Sequence, residues 1–179
     1  MTQISAKKYL YVVETGRFLI PFLVFFNPLV TSTLAIFLDS LDGTLFYRAG
    51  FSWKTYNLVD KILDLWWLFF IVAYIFVAFP TLFYLALALF ILRIVGTALV
   101  FLTNKESLYL LFPNVIERFF NVILIFEILQ ISTNTTTNIF LSLVVALIFE
   151  YGIHILKYPL WAKHVLKTNV DWTKSPANR

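Results

Sequence analysis

LDSLDGTLFYRAGFSWKTYNLVDKILDL, residues 38–65, is the stretch on which the reading of this chain turns. It carries Asp39, Asp42, Asp60 and Asp64, and the only other aspartate of the protein is Asp171. Very apolar segments flank it on both sides. Carboxylates at such a junction are costly to keep unless something cationic binds them. On helices, Asp39 and Asp42 share a face, as do Asp60 and Asp64. If the two helices are antiparallel neighbours, both pairs meet at one end. Several oxygen ligands with no Cys and no His suit Mg²⁺, Mn²⁺ or Ca²⁺ better than zinc.

The composition says where such a site lies. Of 179 residues, 60% are hydrophobic, 19% aromatic and only 13% charged, with a mean hydropathy of +0.83. A soluble domain of this size has too little polar surface to be built that way, so most of the chain is expected inside a bilayer. Glu14 and Arg17 interrupt the first apolar run, which argues against a cleavable signal peptide. Cysteine is absent, which excludes disulfides and thiol chemistry. The net charge of +4 speaks to membrane orientation and not to nucleic acid.

Six spans of about 20 residues are expected. They run from Tyr9 to Phe26, Leu29 to Tyr47, Leu58 to Phe79, Pro80 to Thr103, Asn114 to Ile131 and Ile139 to Tyr158, with a polar tail at residues 161–179. Asn27-Pro28 breaks the first from the second, and a polar link, Ser52 to Asn57, precedes the third. No internal repeat marks a second domain. The fold expected is therefore one all-α integral membrane domain over residues 1–179. Lys7, Lys8, Arg48, Lys54, Lys105, Lys163, Lys167, Lys174 and Arg179 fall on alternate links, while the links around Asn27, Phe79 and Asn134 carry no Lys or Arg. By the positive-inside rule both termini face the cytoplasm. The aspartates then lie at the inner headgroup level of the plasma or cytoplasmic membrane, with Trp66 and Trp67 in the aromatic belt beside them.

Other ionisable groups converge on the same half: Arg93 in the fourth span, Glu117 and Arg118 at the start of the fifth, and Glu150, His154 and Lys157 on one face of the sixth. Glu127 alone lies toward the far side. Ionisable residues within a membrane line a cavity or pair with one another. For Arg93 an ion pair with Glu117 or Glu127 is the structural alternative, and for Glu150 with His154 a hydrogen bond or ion pair is favoured over a metal site.

Asp39-x-x-Asp42-Gly43 followed by Asp60-x-x-x-Asp64 resembles the signature of the CDP-alcohol phosphatidyltransferase family, D-x2-D-G-x2-A-R-x8-G-x3-D-x3-D, with the interval from Asp42 to Asp60 kept. Six spans with the motif bridging the second and third are similar to the family architecture. TGRFLIP at residues 15–21 and Arg93 in LRIVGTALV are similar to arginine-bearing parts of its first and fourth spans. The resemblance implies that Asp39, Asp42, Asp60 and Asp64 hold Mg²⁺ or Mn²⁺, and that Asp64 is also the general base. It implies that Gly43 lets a CDP-activated lipid, diacyl or ether, approach the backbone, that an alcohol is the acceptor, and that the protein is a homodimer. Arg93, Arg118 and Lys157 are candidates for holding a phosphate on that acceptor. The chain departs from the signature where Phe46, Tyr47 and Tyr56 replace its Ala, Arg and second Gly. Arg48 lies one position late, about 100° around a helix, and serves the nucleotide only if the helix end unwinds near Gly50.

Two rivals stand beside this reading. One is a family member that keeps the metal cage but has changed its donor or lost turnover, which the three aromatics motivate. The other is a small cation transporter. Against it stand the lack of a repeat and of a polar path to the far side.

Overall fold

The computed structural model describes residues 2–103, 105–133 and 135–153, and every element among them is helical. Among the described residues, four segments are long and apolar enough to cross a membrane: Pro28–Ala49, Lys54–Ala78, Pro80–Thr103 and Ser107–Ile128. The protein is thus an all-α membrane protein. The expected first span carries Lys7, Lys8, Glu14 and Arg17 within its helix, and Thr136–Gly152 is a shorter apolar helix. The chain divides into two compact units, residues 1–74 and 75–179.

In the first unit, α1 (Gln3–Leu19) starts six residues before the expected span, because the Thr2 hydroxyl accepts from the Ser5 amide at 3.3 Å and caps the helix there. Pro21 lacks an amide to continue the ladder, and the chain tightens into a 3₁₀ turn, Ile20–Phe25. Asn27 then caps α2 (Pro28–Ala49), its Oδ1 accepting from the Val30 amide at 3.1 Å, with Pro28 in the first turn. Gly50 ends α2 in the left-handed conformation, φ 77°. The Ser52 hydroxyl accepts from the Thr55 amide at 3.1 Å, so α3 (Trp53–Ala78) begins at once and residues 53–57, expected as a link, are its first turns.

α1 and α2 are antiparallel, and their register follows from small residues and one amide. Gln3 Nε2 donates to the Ala49 carbonyl at 3.0 Å. Ala6 and Leu10 pack on Phe46 and Ala49. At the other end Gly16 sits so close to α2 that a Cβ there would lie 2.9 Å from Leu38 Cδ1. The buried stripe of α1, Ala6, Leu10, Val13 and Arg17, has the 4-3-4 spacing of a helix face. An arginine therefore arrives on the packed side of α1, level with Asp39 and Asp42.

The second unit contains a 3₁₀ turn (Pro80–Leu82), α4 (Phe83–Thr103), a 3₁₀ turn (Glu106–Leu110), α5 (Val115–Ile128) and α6 (Thr136–Gly152). Its core is α5, where Ile116, Phe119, Phe120 and Ile123 are fully or almost fully buried. α5 stops three residues before the expected Ile131. Gln130 takes φ 56°, and the Ile131 amide reaches back to the Phe126 carbonyl at 2.8 Å, a helix-ending arrangement that satisfies carbonyls of the last turn.

Candidate metal centre

Asp42 lies on the buried stripe of α2 with Phe46 and Ala49, and Asp60 and Asp64 continue the stripe of α3 that holds Trp67, Leu68 and Ile71. The turn between the helices is only residues 50–52, so the two acidic pairs meet as their spacing predicts. Asp39, Asp42 and Asp60 each present an oxygen within 4.8 Å of the other two. Asp42 and Asp60 are buried, at 1% and 4% exposure, while Asp39 remains partly open. Hard oxygen donors at that spacing fit the roughly 2.0–2.6 Å bonds of Mg²⁺ or Ca²⁺, Mg²⁺ with modest closure of the carboxylates.

The arrangement contains two cations that the aspartate motif does not reveal. The Arg17 guanidinium reaches all four aspartates. Its Nη1 donates to Asp42 Oδ2, and its Nη2 lies 2.9 Å from Asp39 Oδ1, 3.1 Å from Asp60 Oδ1 and 3.0 Å from Asp64 Oδ1. Lys61 Nζ donates to Asp60 Oδ2 at 2.5 Å and Asp64 Oδ2 at 3.0 Å. A fifth carboxylate, Glu14, stands 3.8 Å from Arg17 Nη1 through Oε2. Both Glu14 oxygens are buried without a hydrogen-bond partner. These five acids and two bases carry a formal charge of minus three. Carboxylates gathered so tightly repel one another, which is the electrostatic setting in which an added cation is held.

Aromatic packing fixes the surroundings. The Trp66 indole stacks on Phe18 (centroids 5.4 Å apart, planes 5° apart), and its Nε1 donates to the Phe18 carbonyl at 3.0 Å. That carbonyl lies where Pro21 interrupts the helical ladder. Thus Trp66 pins the residue after Arg17. On the other side Phe46 is buried, with its ring 5.7 Å from Phe51 and 5.2 Å from Tyr56. Tyr47 is exposed. Gly43, next to Asp42, is half buried, and Arg48 is exposed on a helix that stays regular through Ala49. The unwinding that would carry Arg48 into the family's arginine position does not occur.

The candidate phosphate-holding arginines belong to the second unit. Arg93 is buried on α4, donates to the Phe112 carbonyl at 3.0 Å and lies 4.7 Å from the centre of the Tyr109 ring. Arg118 is taken up by two glutamates: its Nε bonds Glu150 Oε2 at 3.2 Å, and its Nη2 lies 3.6 Å from Glu117 Oε2. Glu150 Oε1 also accepts the backbone amide of Asn114 at 3.0 Å, and Asn114 Nδ2 donates to Glu117 at 2.9 Å. Asn114 precedes the first residue of α5, so both glutamates face the positive end of that helix. Glu150 is in this way an ion-pair and helix-end partner. Lys157 and His154 lie outside the described residues.

No protein-family model, no curated protein and no solved structure matches the chain.

Proposed function

We propose that this chain transfers the phosphatidyl group of a CDP-activated lipid to an alcohol, releasing CMP, at a divalent-metal site on the cytoplasmic side of the membrane. The observation that carries the proposal is the meeting of Asp39, Asp42, Asp60 and Asp64 around one point at adjoining helix ends, in a cluster that stays anionic after its own arginine and lysine are counted. Asp39, Asp42 and Asp60 would hold the ion, with Asp64 facing it. Bound there, Mg²⁺ or Mn²⁺ supplies charge neutralisation at the donor diphosphate.

The chain's own residues supply the remaining steps. Asp64 is more open than Asp42 and Asp60, with 17% of its side chain exposed. It takes the proton of the incoming hydroxyl while Lys61, bonded to its Oδ2 at 3.0 Å, fixes the orientation of the carboxylate. The alcohol oxygen bonds to the phosphorus that bears the lipid, the bond from that phosphorus to CMP breaks, and CMP leaves. Gly43, without a side chain beside Asp42, leaves the backbone open to the donor. Acidic side chains at a membrane surface are within reach of both a lipid headgroup and a cytosolic alcohol. A homodimer is the assembly that the family resemblance implies.

A specific observation favours a second reading, in which the donor is not a cytidine nucleotide. Phe46 and Tyr56 stand where the resembled family has small residues, and here they pack against each other. Purified protein with Mg²⁺ or Mn²⁺, CDP-diacylglycerol and a panel of alcohols should release CMP. Folded protein that releases none with any alcohol refutes phosphatidyl transfer. If divalent metal raises the melting temperature and cytidine nucleotides do not, the second reading replaces the first.

A further inference from the structure

We propose that Arg17 is a tethered cation that holds the carboxylate cage in the absence of metal, and that Glu14 is the seat to which it turns when a divalent ion enters. The inference rests on the reading of the aspartate cluster as a divalent-cation site and adds to it a two-position side chain. Arg17 uses the same carboxylates that offer the ion its oxygens: Asp39, Asp42 and Asp60 lie within 4.8 Å of one another, and all three bond the guanidinium. Two cations compete for those carboxylates. They repel each other, and each lone pair engaged by an N–H is withheld from a metal. Arginine cannot leave by losing its proton, so it must move.

The structure supplies a place to move to. Glu14 is one turn before Arg17 on α1, which puts the two side chains on neighbouring positions of one helix face. The Glu14 oxygens are buried and make no hydrogen bond, although Oε2 is only 3.8 Å from Arg17 Nη1. Burying an unbonded carboxylate is unfavourable, so Glu14 gains from any donor that reaches it. A rotamer change of Arg17 closes the gap without any movement of α1. Lys61, adjacent in sequence to Asp60, remains with Asp60 and Asp64 in either state. Trp66, bonded to the Phe18 carbonyl, keeps the backbone at Arg17 in place while the side chain turns.

The test is Mn²⁺ binding, followed by electron paramagnetic resonance on the full-length chain in detergent micelles, for the wild type, Arg17→Gln, Glu14→Gln and the double variant. Arg17→Gln is expected to bind Mn²⁺ about tenfold more tightly, because the resident competitor is gone. Glu14→Gln is expected to bind about tenfold more weakly, and to lose most of that effect in the Arg17→Gln background, the coupling expected of two groups that act on each other. Unchanged or weaker binding by Arg17→Gln overturns the proposal, since Arg17 would then organise the cage and not compete for it. An equal loss from Glu14→Gln in both backgrounds overturns the role of Glu14, which would then be a ligand or a distant charge. Should Arg17→Gln unfold in chelator, recovery of at least the wild-type melting temperature with Mn²⁺ supports the exchange, and no recovery overturns it. Absence of Mn²⁺ binding in the wild type and in Arg17→Gln alike overturns the metal reading itself.

Discussion

Each of the two units of this chain buries a group of charges, and the two groups are built on opposite principles. Around Glu117, Arg118 and Glu150 the acids are answered by peptide and side-chain groups: the Asn114 amide, the Asn114 side chain, one guanidinium and the start of α5. Around Arg17 the acids face one another, and five carboxylates share two bases. The first arrangement ties α5 to α6. The second joins α1 to α2 and α3 through Arg17, yet it holds more acid than base. Acid in excess of what a fold pairs within itself is the setting that favours an added cation.

Neutralising one acid in each group gives the sharpest break between them. Asp42→Asn and Asp60→Asn are expected to lower metal-dependent CMP release on the order of 10³-fold, the scale on which enzymes depend on a single electrostatic contact in the transition state. The same variants are expected to melt in chelator at or above the wild-type temperature, because one member of a repelling set has been removed. Marked destabilisation of both variants would make the aspartate cluster a structural one and erase the contrast.

Glu150→Ala is the converse experiment. It removes the acceptor of a buried amide and the nearer of the two carboxylates on Arg118, leaving the amide unsatisfied and Arg118 with Glu117 alone, and a loss of about 3 kcal/mol of stability is expected. The loss should be the same with and without divalent metal, measured by equilibrium unfolding in mixed micelles. A metal-dependent loss would mean that the two charge groups are coupled.

The two groups were not equally legible in the sequence. Asp39, Asp42, Asp60 and Asp64 could be assembled from spacing alone, because helical periodicity places each pair on a face and a three-residue turn brings the faces together. Arg17 was visible as a charge within an apolar run and as part of TGRFLIP, yet its contacts lie 22 to 47 residues away, and no local pattern encodes those. A signal did exist, since Arg17 completes the Ala6, Leu10 and Val13 stripe. A cation on the buried side of a helix needs an acid on the next one. Lys61 falls among apolar neighbours between Asp60 and Asp64, and its side chain folds back onto both. Arg118 reads as a phosphate-holding candidate from its convergence with other ionisable groups, whereas its bond to Glu150, 32 residues on in another helix, has no local signal. The early start of α3 is hidden for a simpler reason: residues 52–57 look like a polar link, but with Ser52 as a cap residues 53–57 form the first helix turns, Lys54 and Thr55 exposed and Tyr56 packed on Phe46.

The smallest expected effects compare the glycines that set helix spacing in each unit. A Cβ at Gly96 of α4 would come within 2.2 Å of Phe112 Cβ, the root of a side chain whose own carbonyl accepts from Arg93. That atom moves only if the backbone moves, so Gly96→Ala should cost about 2 kcal/mol, within the range for overpacking. A Cβ at Gly16 would come within 2.9 Å of Leu38 Cδ1, the free end of a flexible side chain. A change of Leu38 rotamer clears the space at a cost of about 1 kcal/mol, offset in part by alanine's better helix propensity. Gly16→Ala is therefore expected to leave stability within about 0.5 kcal/mol of wild type and Mn²⁺ affinity unchanged. Gly16→Leu cannot be cleared that way and must separate α1 from α2. That separation withdraws Arg17 from Asp39 and Asp42 together. If Gly16→Leu alters Mn²⁺ binding in the direction of Arg17→Gln, the close approach of α1 to α2 is what delivers the arginine to the cage, and the aspartate cluster is then as sensitive to packing as the second unit is at Gly96.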